Sequence, residues 1–244
     1  MRPSAAFFFE RGCFMERNYQ TAISFSLDPD ELDWRTAFHE AGHAAAIHIG
    51  NQQKQLPPVF FEIQVKKPKS VNDHFFAKVI DGNLIQNLPI AMVESFSMLS
   101  GNAEHSCQRA YEADVVNLLV GPLSEAKYVA QRDGEVFNLK LISLHCLQNY
   151  GGLTDMERIH TYLDCFIASR ELREKKIREL LAQAYSFIDN HRNWRCILNL
   201  AYHILESKQE TISCDEAINV LDMHLHFSPP TLLQRFSAHV AVIS

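Results

Sequence analysis

The chain has 244 residues, of which 47% are hydrophobic and 21% are charged, and its formal net charge is −6. This composition excludes an intrinsically disordered chain, and the acidic balance is unlike that of proteins that bind the nucleic-acid backbone. No stretch approaches the roughly 20 apolar residues that span a bilayer, and the early run SAAFFF is too short for an export signal. We therefore expect no nucleic-acid partner and no membrane span. Six cysteines without a CxxC pair indicate reduced thiols and a cytoplasmic location.

The first clear element is a predicted helix over residues 28–50. Residues 1–27 show no hydrophobic period and are assigned to an N-terminal extension. Asp28 can cap the helix, Pro29 suits its first position, and Glu31 completes a capping box. Gly50 predicts the end of the helix, since glycine favours C-terminal caps.

After this helix the pattern changes to strands and then returns to helices. The segments VFFEIQVK and HFFAKVID alternate and predict a β-hairpin. Ser213 and Glu216 predict a capping box before the last helix. The fold class is therefore mainly α with a small hairpin, formed by one domain at 28–225 and a C-terminal tail at 226–244. Further helices are predicted at 89–100, 103–131 with a break near Gly121 and Pro122, 135–149, 154–188, 193–208 and 214–224.

The first helix carries the motif HEAGH, which places His39 and His43 one helical turn apart. Residues i and i+4 share a helix face, so both imidazoles can bind one metal ion. Glu40 is rotated by about 100° from His39, which puts its carboxylate beside the ion, where it can deprotonate a zinc-bound water. The alternative is that these are two ordinary histidines among twelve. His48 lies about 180° around the helix from His39 and is predicted to be structural.

A zinc enzyme needs a third protein ligand, and Asp155 is the best candidate. Glu62 lies nearer in sequence but falls in a predicted strand. Thr154 and Glu157 predict a capping box that places Asp155 in the first helical turn, and the glycines at 151–152 allow a tight approach. The alternative role for Asp155 is a favourable interaction with the helix dipole alone.

Four sequence blocks together resemble the peptidase domain of FtsH-type ATP-dependent zinc proteases. They are AFHEAGHAAA, VGPLSEAKYVA, GGLTDMERI and the helical pair that begins at FIDNHRNW and ends at CDEAINVL. The resemblance implies a helical zincin-type metallopeptidase domain, with Glu125 as the partner of a ligand histidine. Val120, Gly121 and Pro122 depart from the family pattern, which has paired glycines here. The resemblance further implies zinc ligation by His39, His43 and Asp155, with Glu40 as the catalytic base.

The expected function is that of a zinc-dependent metallopeptidase in which Glu40 activates a zinc-bound water. Because no Walker-type motif is present, the activity is expected to be ATP-independent in itself. The expected substrates are unfolded or small peptides, unless a separate unfoldase or partner protein gives access. The FtsH-type family forms rings, which is compatible with a homo-oligomer, but the sequence determines no oligomeric state. The alternative is a non-catalytic, zinc-stabilised interaction or regulatory module, against which the presence of Glu40 argues.

Overall fold

The computed structural model of the protein describes residues 29–67, 76–85 and 101–225. The predicted N-terminal extension, the Asp28 cap, the helix at 89–100 and the tail at 226–244 lie outside the described residues. The helices are α1 (Pro29–Ala45), α2 (Asn51–Gln53), α3 (Gly101–Arg132), α4 (Leu144–Leu147), α5 (Leu153–Phe166), α6 (Arg170–Asp189), α7 (His191–Glu206) and α8 (Cys214–Leu225). The strands are β1 (Phe61–Lys66), β2 (Phe76–Asp81) and β3 (Thr211–Ile212).

The described residues confirm a mainly helical protein with one small antiparallel sheet. The predicted hairpin is β1 paired with β2, with Ile63 opposite Val79. A third strand, β3, was not predicted; it pairs with the other side of β1 and gives the order β2-β1-β3. Two residues are too few to show an alternating pattern, so only the tertiary structure reveals this strand.

The predicted end of the first helix at Gly50 is wrong. A π-helical turn, Ala46–Gly50, follows α1, and Gly50 itself has helical dihedral angles. The backbone leaves the helix only after α2, where Gln55 has a positive φ of 54°. Gly50 instead lies against the ring of Phe187 on α6, so packing rather than termination explains the small residue here.

The predicted break near Gly121 and Pro122 is also wrong, since α3 runs through Pro122 without interruption. Proline in a helix interior costs about 3 kcal/mol, and tertiary packing must offset this. Helix α3 packs along α1 over much of its length, and the Pro122 ring lies against Gly152 in the turn before α5.

Two predicted helices are shorter than the sequence suggested. Only Leu144–Leu147 is α-helical within 135–149, because the side chains of Asn138 and Ser143 accept hydrogen bonds from nearby backbone N–H groups and favour short turns. The predicted helix 154–188 is two helices, and Ser169 caps the second by accepting from the Leu172 N–H. The predicted Ser213 cap is confirmed by the bond from the Glu216 N–H to its hydroxyl.

Helix α1 lies at the centre of the core and positions the candidate site. It packs against α3 and α7, and its alanines at 37, 41, 44 and 45 are fully buried. Alanine has the smallest side chain after glycine, so the neighbouring helices approach closely. No helix in the described part of the chain combines the length and apolar composition that crossing a membrane requires.

Candidate metal centre

The two histidines of the HEAGH motif point to the same place. Their Nε2 atoms lie 3.0 Å apart, and both side chains are buried. This geometry follows from the helical turn between them, as the sequence predicted. His48 lies apart from them, because its Nε2 atom is 2.8 Å from the Asp222 Oδ1 atom on α8.

Asp155 reaches the same point from α5, although it is 116 residues from His39 in sequence. Its Oδ2 atom is 3.2 Å from His39 Nε2, and its Oδ1 atom is 3.6 Å from His43 Nε2. Zinc bonds of about 2.0–2.2 Å in tetrahedral geometry place ligand atoms roughly 3.3–3.6 Å apart. The two nitrogens and the carboxylate oxygens are separated by 3.0–3.6 Å, which is close to this spacing, so the group could hold one metal ion.

The turn before α5 determines where Asp155 points, but not in the way predicted. The helix begins at Leu153 with Gly152 in the capping position and no side-chain cap, so the predicted box from Thr154 to Glu157 is wrong. Gly151 has a φ of +69°, and a Cβ there would lie 3.0 Å from both Glu125 Oε2 and His39 Nδ1. Glycine is therefore required both by the backbone and by the close approach to the histidine.

The outer nitrogens of both histidines contact backbone carbonyl oxygens. His43 Nδ1 is 2.8 Å from the Asn117 oxygen, and His39 Nδ1 is 3.1 Å from the Tyr150 oxygen. A carbonyl can only accept, so we assign a proton to Nδ1 in each ring, and Nε2 is the nitrogen that would bind a cation once it has released its own proton. Two such nitrogens and a carboxylate at this separation form a donor set suited to a divalent cation.

Glu125 contacts His39, as the resemblance implied. Its Oε2 atom is 3.3 Å from His39 Nδ1, and the side chain is buried. Arg35 holds the other oxygen, since its Nε donates to Glu125 Oε1 at 2.7 Å and its Nη2 donates to the Asn149 carbonyl at 2.9 Å. This buried arginine was not predicted; its position one turn before His39 on the same helix face was the available signal.

Gly121 provides the surface on which His43 packs. A Cβ on Gly121 would lie 2.2 Å from His43 Nε2, so no larger residue fits without moving the imidazole. Val120, the residue before Gly121, is buried in the core. Of these two residues, Gly121 is therefore the one that the position of His43 requires.

The charges of the cluster influence one another strongly. Although burial opposes ionisation, the neighbouring histidines hold the pKa of Asp155 well below its usual range. Burial likewise opposes the protonation of His39, but Asp155 and Glu125 raise its pKa well above the ordinary value. The carboxylates thus favour positive charge at the histidines, the same charge that a bound cation would bring.

Glu40 lies in the same cleft but does not contact the three donor atoms. Its Oε2 atom accepts a hydrogen bond of 2.6 Å from the Val79 N–H of β2. Burial raises the pKa of Glu40, whereas His39, His43 and the Val79 N–H act in the opposite direction. The half-buried carboxyl therefore forms part of the cleft wall beside the three donor side chains and is held against β2.

The cleft has a volume of about 340 Å³ and combines groups from four elements. Helix α1 contributes Glu40 and the histidines, α3 contributes Asp114, α5 contributes Asp155 and Arg158, and β2 forms one side. The three donor side chains, the Glu40 carboxyl group and strand β2 therefore share one open space. Comparison with known proteins assigns no family to the chain, since no protein-family model and no curated protein matches it.

Proposed function

We propose that this protein is a zinc-dependent metallopeptidase with a helical zincin-type domain related to FtsH-type peptidases. The observation that carries the proposal is the convergence of His39 Nε2, His43 Nε2 and an Asp155 oxygen, with Glu40 in the same cleft. Three protein ligands are the number that catalytic zinc sites use, because a fourth position remains open for water or substrate.

In this proposal each residue has a defined task. His39, His43 and Asp155 hold zinc, which when bound polarises a carbonyl and lowers the pKa of water toward about 7. The Glu40 carboxylate accepts the proton of the attacking water as its oxygen bonds to the peptide carbon. Glu40 then donates that proton to the amine nitrogen as the C–N bond breaks. Glu125 orients His39 and fixes its tautomer.

The strand order supports binding of an extended peptide. Among the described strands, β2 lies at an edge of the sheet. The Val79 N–H on its outer side is already bonded to Glu40, so a substrate would pair with other backbone groups of this edge. An extended substrate can add to such an edge through backbone hydrogen bonds. A cleft of about 340 Å³ is at the small end of the usual range for ligand sites, which favours short or unfolded peptides.

The bond between Glu40 and Val79 also favours a second candidate, a non-catalytic module stabilised by zinc. In that role Glu40 would hold β2 against α1. The presence of the glutamate would then be explained without a catalytic function. The two candidates share the metal ligands and differ only in what Glu40 does.

A Glu40→Gln variant separates the two candidates. Glutamine keeps an oxygen that accepts from the Val79 N–H but cannot act as a base, so the fold and zinc content should be unchanged. For the peptidase, cleavage of casein and of quenched fluorescent peptides falls by at least about 100-fold in this variant. Cleavage that persists in Glu40→Gln refutes the catalytic assignment. A zinc-loaded wild-type protein that cleaves neither substrate supports the non-catalytic module.

A further inference from the structure

Arg158 places a positive charge in the cleft on the same helix as the third ligand. It follows Asp155 by three residues on α5, so both side chains lie on neighbouring positions of one helix face. Both residues line the cleft, together with the exposed Lys78 of β2. Neither the Arg158 guanidinium nor the Lys78 ammonium group is among the proposed metal ligands.

The guanidinium of Arg158 has one hydrogen bond within the described part of the chain. Its Nη2 atom donates to Asn83 Oδ1 at 2.9 Å. Among the described residues, no carboxylate forms an ion pair with Arg158. Its charge nevertheless acts on Asp114 in the same cleft, because burial raises the pKa of Asp114 and Arg158 is one of the groups that lower it. Arginine carries five N–H donors, so most of its donors remain for a ligand.

The residue that holds Arg158 is itself held firmly. Asn83 precedes Leu84 and Ile85, whose N–H groups donate to the two oxygens of buried Asp114 at 2.8 and 2.9 Å. The Tyr162 hydroxyl donates to the same carboxylate at 3.0 Å. Asp114 therefore satisfies three local donors and fixes the segment that positions Asn83. Arg158 is thereby oriented by the cleft wall although it is exposed to solvent.

We propose that Arg158 binds a carboxylate of the peptide substrate and makes the enzyme selective for peptides that present a carboxylate at this position. The planar guanidinium fork matches a carboxylate with two parallel hydrogen bonds, and Lys78 adds a second positive charge to the same cleft. The carboxylate can come from the C-terminus of a short peptide or from an Asp or Glu side chain. This inference rests on the proposed peptidase function for the nature of the ligand.

The test measures binding rather than turnover, so it does not depend on catalysis. Three fluorescent peptides of one sequence are titrated into zinc-loaded Glu40→Gln protein. One has a free C-terminus, one has a C-terminal amide, and one has the amide with a glutamate in place of an internal glutamine. The same titrations are made with Arg158→Gln and Arg158→Lys added to Glu40→Gln. Arg170→Gln is the matched control, because it removes an arginine whose side chain is 88% exposed and lies outside the cleft.

We expect at least one carboxylate-bearing peptide to bind roughly tenfold more tightly than the neutral amide. The preferred peptide identifies the source of the carboxylate. Arg158→Gln should bring the ratio of the two affinities, carboxylate-bearing peptide over neutral amide, close to one. Arg158→Lys should keep part of this preference, and Arg170→Gln should leave it unchanged. Equal affinities for all three peptides, no binding at millimolar concentrations, or a preference that survives Arg158→Gln would each overturn the proposal. Failure of the peptidase function would appear separately, as absent cleavage by the wild-type protein.

Discussion

The imidazole of His43 lies on Gly121, so close that a Cβ on the glycine would come within 2.2 Å of Nε2. The position of this proposed metal ligand is thus defined by a glycine 78 residues later in the chain. Helix α3 supplies this glycine immediately before Pro122, in the middle of its length.

Gly121→Ala should weaken zinc binding while the helix remains intact. The added methyl group displaces His43, so we expect the zinc affinity to fall by at least about tenfold. Alanine favours helix over glycine by up to about 1 kcal/mol, so far-ultraviolet circular dichroism should not show a loss of helix. Competition with a chromophoric chelator measures the affinity.

Gly50→Ala is the control for this substitution. Gly50 is also helical, but its added Cβ would meet the Phe187 ring at 3.7 Å, an ordinary contact. Equal zinc affinity in the Gly121→Ala and wild-type proteins would show that His43 does not bind the metal from the position described.

Arg35→Met should leave Glu125 buried without its strongest partner and loosen His39. Outer partners of metal ligands typically affect metal affinity by about 10- to 100-fold, and we expect a loss in this range. Removing one member of a buried ion pair also costs about 3–5 kcal/mol of stability. Isothermal chelator competition and chemical denaturation measure the two effects.

A double-mutant cycle tests whether Arg35 acts through Glu125. In Arg35→Met with Glu125→Gln, the free-energy changes should be clearly less than additive, because both substitutions break one contact. Additive effects on zinc affinity would mean that the two residues act independently.

Several features of the fold follow from local sequence, and several do not. The helical spacing places His39 and His43 together, and the alternating segments give the hairpin, because both signals are contained within a few neighbouring residues. The course of α3 through Pro122 could not be predicted, since the packing against α1 that offsets the proline comes from distant residues. The division of the predicted helix 154–188 into two helices depends on the single N-cap at Ser169. The helical spacing of apolar residues on either side does not indicate this cap.

The site shows the same division between local and distant information. A capping box and a resemblance predict Asp155 as the third ligand, yet the box is absent and Gly152 occupies the cap. What brings the carboxylate to the histidines is the turn at Gly151, whose close contacts with His39 and Glu125 exist only in the folded chain. The contact between Arg35 and Glu125 is not visible in the local sequence, because the two residues are 90 positions apart.

Zinc should raise the thermal stability of the wild-type protein. A ligand that binds only the folded state stabilises it by about 2.7 kcal/mol when its free concentration is 100 times Kd. We therefore expect Tm to fall on treatment with a chelator and to recover with added zinc, measured by differential scanning fluorimetry.

Asp155→Ala should abolish this zinc dependence, whereas His48→Ala should preserve it. His48 is a matched control because it lies nine residues after His39 but pairs with Asp222 instead of the cluster. A similar zinc-dependent rise of Tm in Asp155→Ala would remove Asp155 from the ligand set.

The most direct test is a crystal structure of the zinc-loaded protein, with anomalous diffraction recorded on both sides of the zinc absorption edge. We expect one anomalous peak at about 2.0–2.2 Å from His39 Nε2, His43 Nε2 and an Asp155 carboxylate oxygen. A peak bound by other residues, or no peak at these three side chains in zinc-saturated crystals, would contradict the metal centre described here.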